Sequence, residues 1–255
     1  MTVSSASTTP AHPHAHPQAH GQASFPGPDG GEGGCADGDA PRARLLAAAV
    51  RLFAEQGYAK ASVRQIATAA RVNVAAISYY FGDKQGLYRA AFSEPMGSAR
   101  DDIALFSDPA MTLRDALQGL YAGFVMPLKQ DEQVQLCTRL HMREMVEPTG
   151  MWAEEIDNGI RPYQAELVTV LCRHLGLAQA DDDLHRLAFA IVSQGVFLFM
   201  GRDVIQAIRP HLLGSPEAID AWAARFTDNA LAMVDAERQR RQLPLPIQPP
   251  TESPA

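Results

Sequence analysis

The 255-residue chain is poor in cysteine. Its three, Cys35, Cys137 and Cys172, are widely spaced and form no C-x-x-C pair. This argues against a disulfide framework or a structural zinc site and fits a reducing compartment. The two later cysteines read as small buried apolar residues. No apolar run reaches the ~20 residues needed to cross a bilayer. The first residues lack the basic and apolar blocks of a secretory signal. A cytoplasmic location without a membrane partner is the expectation. Catalytic signatures are missing as well: there is no G-x-S-x-G elbow and no H-E-x-x-H helix. The glycine cluster Gly30-Gly31-Glu32-Gly33-Gly34 has no strand before it and is not a nucleotide loop. His141 and Glu144 lie three apart on one helix face, but two ligands do not make a metal site, and a surface hydrogen bond explains the spacing better. No enzyme activity, cofactor or metal is expected.

Charge is unevenly spread. The net charge is −7. Residues 1–40 hold four acids and no Lys or Arg, whereas residues 41–95 hold eight basic residues against three acids, a local +5. The remainder carries −8. A basic module on an acidic body is the footprint of a protein that turns one face toward phosphates.

Residues 1–40 are Ala, His, Pro, Gly and Ser with almost no large apolar side chain, and read as a disordered tail. His12, His14, His16 and His20 in this tail could bind a transition metal weakly; a passive role is the preferred reading. The proline-rich stretch 243–255 is a second tail. Between them the periodicity predicts an all-α body without strands. Helices are expected over 42–56 (ending at Gly57), from Lys84 to about Phe92, and over 112–127, 132–147, 151–175, 181–208 and 216–241. The last two are long and carry apolar stripes, Leu184 to Phe199 and Ile219 to Met233. Such stripes fill either the subunit's own core or a four-helix bundle shared by two copies.

The most informative stretch is 61–88. Ser62 and Gln65 form an S-x-x-Q capping box. Val63, Ile66, Ala67 and Ala70 then fall on one helix face, with small alanines that permit close approach. Asn73 caps a second helix whose inward face is expected to be Val74 and Ile77. Ala75, Ala76, Ser78 and one tyrosine are left pointing outward. A face of small residues suits a helix that enters a groove ~12 Å wide. Gly82 ends this helix, and Asp83 caps the next from Lys84. Two short helices with a tight turn, then a third, are the pattern of a helix-turn-helix.

These residues carry a resemblance. Ala48, Leu52, Phe53 and Gly57-Tyr58, then Ser62 to Ala67, Ala70 to Asn73, Ile77 to Phe81, Lys84 and Leu87-Tyr88 together resemble the N-terminal domain of TetR/AcrR-type transcriptional regulators. Arg71 departs from the pattern, because that turn often holds Gly. Arg costs ~1 kcal/mol at positive φ, although its guanidinium could reach a phosphate. Further along, Arg143-Glu144-Met145, Glu147-Pro148-Thr149 and Gly201-Arg202-Asp203 resemble the C-terminal domain of the CecR-like branch.

The resemblance implies an N-terminal three-helix DNA-binding domain at 41–88 and a larger helical ligand-binding and dimerisation domain at 89–242. It implies a homodimer through the last two helices, about 181–208 and 216–241, on a double-stranded DNA operator. Ser62, Arg64, Tyr80 and Lys84 are expected to hold phosphates. Asn73, Val74, Ala75, Ala76 and Ser78 are expected at base edges, with Tyr79 in either set or packed inward. A small-molecule effector is expected among the middle helices, where Tyr121, Phe124, Met126, Cys137, His141, Met145, Met151 and Trp152 gather aromatic and thioether surface. The resulting expectation is a ligand-released transcriptional repressor. The rivals are an activator of the same fold and a helical ligand- or metal-binding protein that never meets DNA.

Overall fold

In the computed structural model, residues 39–95 and 99–243 are described; the His-rich tract, Cys35 and the proline-rich end beyond Leu243 lie outside them. The chain opens with α1 (Asp39–Lys60), α2 (Val63–Ala70), α3 (Ala75–Phe81) and α4 (Lys84–Ser93). It continues through α5 (Ala99–Ala104), α6 (Leu113–Val125), α7 (Glu132–Val146), α8 (Met151–Glu155), α9 (Arg161–Leu175), α10 (Asp182–Met200), α11 (Arg202–Ile208) and α12 (Pro216–Arg240). Short 3-10 turns cover Met126–Lys129 and Pro210–Leu213, and a π-helical turn joins α8 to α9. Among the described residues there is no strand.

Local chemistry accounts for most boundaries. Asp83, Thr112, Asp131, Asp181 and Ser215 each cap a helix by accepting a backbone N–H. Gly57 interrupts α1 at φ 80°, so the first long helix ends there and resumes for one turn. One expectation fails at the other end of the chain. Gly201 breaks the predicted 181–208 helix into α10 and α11, because apolar periodicity runs on through a residue that releases the backbone ladder. The stretch after Arg209 tightens into a 3-10 turn that the composition did not announce.

Two hydrophobic cores form. One joins α6, α9, α10 and α12 around Phe106, Tyr121, Leu167, Leu171, Leu184, Ile191 and Phe226. The other gathers α1 to α4 around Leu45, Phe53, Ile66, Ile77 and Leu87, and it also takes Leu136, Cys137 and Leu140 from α7 and Met151 from α8. The first four helices therefore share their interior with the body. Two helix ends are tied by ion pairs: Arg241 bonds Asp181 at 2.6 Å and Arg240 bonds Asp183 at 3.1 Å, which clamps the end of α12 to the start of α10. Hydrogen bonds from Arg241, and from the Leu184 backbone, hold the Asp181 carboxyl well below the usual carboxylate range.

α10 stands apart from the other helices in composition. By length and composition it is apolar enough to cross a membrane, alone among the described helices. It reaches that hydropathy because it is apolar on two sides. Leu184, Leu187, Ala188, Ile191 and Leu198 enter the core, while Phe189, Phe197 and Met200 face out.

Candidate nucleic-acid interface

The helix-turn-helix is built as its capping residues dictate. Ser62 Oγ accepts from Gln65 N at 3.2 Å, and Gln65 Oε1 accepts from Ser62 N at 2.9 Å, closing the box that starts α2. Ile66, Ala67 and Ala70 are buried against α1, with Val63 packed beside them. The turn then passes through Arg71 at φ 55°, ψ 46°, the left-handed conformation that glycine would adopt freely. Asn73 Oδ1 accepts from Ala75 N at 2.9 Å and so caps α3. Gly82, at φ 79°, releases the chain into α4.

The reading face differs from expectation in two places. Val74 does not face inward; it is 43% exposed, because it precedes the first full helical residue, and Ile77 alone of the pair is buried. Ala76 is half-buried against the head core, together with Tyr80 and Phe81. Ser62, Arg64, Asn73, Ala75 and Ser78 are exposed. Tyr79 stands 82% exposed and packs edge-on against Tyr80, so it does not point inward. Lys84 is half-buried with its ammonium 4.4 Å from the Tyr58 ring centre, a cation–π contact that holds it at the rim of this face.

Behind the face lies a polar seam that sequence reasoning missed. Glu144, expected at a surface, is fully buried (0% exposed). Tyr88 on α4 donates its hydroxyl to Glu144 Oε2 at 2.6 Å. On the other side Thr149 N, Thr149 Oγ1 and Met151 N donate to the same carboxylate, with Thr149 N at 2.7 Å. One carboxylate thus joins α4 to the α7–α8 turn. Burial, followed by the Glu144 hydrogen bond and charge, pushes the Tyr88 phenol well above its ordinary range, so it stays a donor. Tyr88 stacks edge-on with Phe53 and Tyr58, at 4.9 and 5.0 Å. Next to it the Arg143 guanidinium lies against Gly57, where a Cβ would come within 2.7 Å of Arg143 Nε. Arg143-Glu144 and Glu147 just ahead of Pro148 were the signal available. The partner on α4, 56 residues earlier, was not visible.

The eight residues expected around an effector are divided between the cores. Tyr121 and Phe124 belong to the body core, where Tyr121 donates to Ile191 O at 2.9 Å. Cys137, His141, Met151 and Trp152 lie with the head core or beside it; Met126 and Met145 are exposed. His141 stacks on Phe92 at 3.9 Å with Nδ1 3.0 Å from Cys137 O, and burial holds its pKa below the ordinary value. The Cys137 thiol is pushed up to about 11, chiefly by burial, which leaves it unreactive. Cys172 is only half-buried, at the edge of the body core. Among the described residues no group of three His, Cys, Asp or Glu is placed to hold a metal.

A capped three-helix head with an exposed small-residue helix, sharing its core with a helical body, defines a helix-turn-helix protein. Comparison with known proteins specifies the kind. The family model for bacterial regulatory proteins of the tetR family matches residues 45–91, and the model for the C-terminal domain of the HTH-type transcriptional dual regulator CecR matches residues 113–236. The chain is 27% identical to CecR of Shigella flexneri over 179 residues, covering 66% of this chain and 79% of that protein. It is 25% identical to the transcriptional repressor NicS of Pseudomonas putida over 206 residues, or 76% of this chain and 92% of that one. A tetR-family regulatory protein from Rhodococcus RHA1 shares the fold, with a TM-score of 0.58 at 20% identity over 76% of this chain and 96% of the other. The chain belongs to the TetR family of transcriptional regulators, in its CecR-like branch.

Proposed function

We propose that this regulator is a cytoplasmic homodimeric repressor that binds a near-palindromic operator and leaves it when the body takes up a small effector. The observation that carries this reading is the outward face of α3: exposed, built of small residues, and flanked by Arg64 and Lys84 on a doubly capped head. Residues 41–88 serve as the DNA-binding head and 89–242 as the effector and dimer body. Ser62, Arg64, Tyr80 and Lys84 hold phosphates. Asn73, Val74, Ala75 and Ser78 meet base edges, with Ala76 contributing only its outer edge. Tyr79, fully outside the core, reaches either. Few long polar side chains lie on this face, so thymine methyl contacts and DNA shape carry much of the specificity.

Two half-sites one helical turn or a little more apart require a two-fold protein. The exposed apolar face of α10, Phe189, Phe197 and Met200, continues on α11 through Val204 and Ile208 and supplies an isologous interface, with α12 alongside. Effector binding changes the balance between two spacings of the heads, and release follows from differential affinity for them. The chain catalyses nothing in this scheme. NicS is named a repressor and CecR a dual regulator, so activation at some promoters is the second reading. A footprint of the purified protein on genomic DNA, beginning upstream of its own gene, tests the proposal. A protected near-palindrome is expected; absence of protection at low salt, with or without candidate effectors, would overturn it.

A further inference from the structure

A cavity of about 270 Å3 opens between the 3-10 turn Met126–Lys129, α7 and the α10–α11 junction. Its size lies near the lower end of small-molecule pockets, roughly 300–1,000 Å3. None of the eight residues expected around an effector lines it. Leu128, Leu136 and Phe199 give it an apolar wall, and Arg139 and Arg202 stand in the same lining.

The charges of that lining are unevenly satisfied. Glu132 is neutralised by Arg51 of α1 through two hydrogen bonds of 3.2 and 3.1 Å. Arg202 donates to Gln135 Oε1 at 2.9 Å, an uncharged acceptor, and no carboxylate pairs with it among the described residues. Arg139 is exposed and has no ion pair among the described residues. Asp203, in the first turn of α11, is the one lining carboxylate without a paired cation. Two guanidiniums against one carboxylate leave a surplus of a single positive charge, which suits a monoanion better than a phosphate dianion.

We propose that this cavity binds a small carboxylate with an apolar body, its head group between Arg139 and Arg202 and its tail on Leu128, Leu136 and Phe199. The assignment rests on the effector-responsive reading and names the ligand class for it. Occupancy is one ion pair from the head, because Glu132 in the wall holds Arg51 of α1. The cavity also touches the α10–α11 junction, which adjoins the proposed dimer face.

Titration calorimetry of the full chain with straight-chain carboxylates from butanoate to decanoate, and with the matching alcohols, tests the site. Affinity should rise with chain length until the tail fills the cavity, and each carboxylate should bind about tenfold more tightly than its alcohol. Arg139→Gln and Arg202→Gln should each weaken the carboxylates about tenfold and leave the alcohols unchanged. Arg139 is exposed, so its variant folds whatever happens at Arg202. No carboxylate binding below millimolar, equal binding of carboxylate and alcohol, or parental affinity in both variants would each overturn the site. Operator release by another molecule, without carboxylate binding, removes this site and keeps the effector-responsive reading. Carboxylate binding that leaves the operator complex intact keeps the site and removes its link to regulation.

Discussion

Two exposed helix faces of this molecule are built from opposite materials. The face of α3 is alanine, serine, valine and one tyrosine, set in a segment that carries +5. The face of α10 and α11 is phenylalanine, methionine, valine and isoleucine, on the part of the chain that carries −8. Neither is what an ordinary solvated helix presents. A groove of fixed width penalises bulk and attracts cations, whereas a protein interface draws its stability from large apolar area removed from water. Size and charge of the exposed side chains thus separate the proposed nucleic-acid face from the proposed dimer face, even though both are helical and both depart from the usual polar surface.

Five measurements break or sharpen that contrast. Placing a carboxylate on the small face should have the largest effect: Ser78→Glu sets a negative charge against the groove, and operator affinity should fall on the order of hundredfold, a few kcal/mol, with melting temperature unchanged. An unaltered footprint would remove α3 from the groove. On the other face, Phe197, 54% exposed, becomes the test. Phe197→Asp should weaken self-association by roughly 2–4 kcal/mol, read by light scattering, while the monomer stays folded. A variant that remains dimeric at micromolar concentration would move the interface elsewhere.

Tyr88→Phe attacks the seam between the two regions. It leaves the buried Glu144 one donor short and should cost about 1–3 kcal/mol of unfolding free energy. A full-strength melting curve would mean that Thr149 and Met151 satisfy the carboxylate alone. Lys84→Ala should weaken binding to every DNA sequence alike and reduce the salt slope by about one; an unchanged slope would take Lys84 out of the phosphate set. The mildest effect concerns pH. Burial lowers the His141 pKa below 6.5, so the folded state favours the neutral ring. Its contribution is fully present above 6.5 and is lost as the pH falls through the depressed value. Melting temperature should drop on acidification from pH 7.5 toward 5.5, and His141→Gln should flatten that drop.

The parts of the fold legible in the sequence were those written in neighbouring residues. The Ser62–Gln65 box and the Asp83 cap need only local chemistry, and they appear where the spacing puts them. The phase of α3 was misjudged by one residue at its start. Asn73 caps before Val74 enters the helix, so Val74 turns outward. The effector residues were grouped by composition, and composition does not say which of two cores a Met or His joins. Glu144 shows the same limit from the polar side. A carboxylate in a helix reads as solvated unless its donors are known, and one of them, Tyr88, lies on α4.

The bond from Tyr88 to Glu144 sits close to the middle of α4, and that position gives it leverage. Lys84 is four residues away, about 6 Å along the axis at ~1.5 Å per residue. If Tyr88 is the fulcrum, a tilt of about ten degrees carries the start of α4 through about 1 Å, more than the ~0.5 Å window over which an N–H···O bond to a phosphate stays good. In the proposed scheme, a shift of the α7–α8 turn that tilts α4 by that angle is enough to break such a contact.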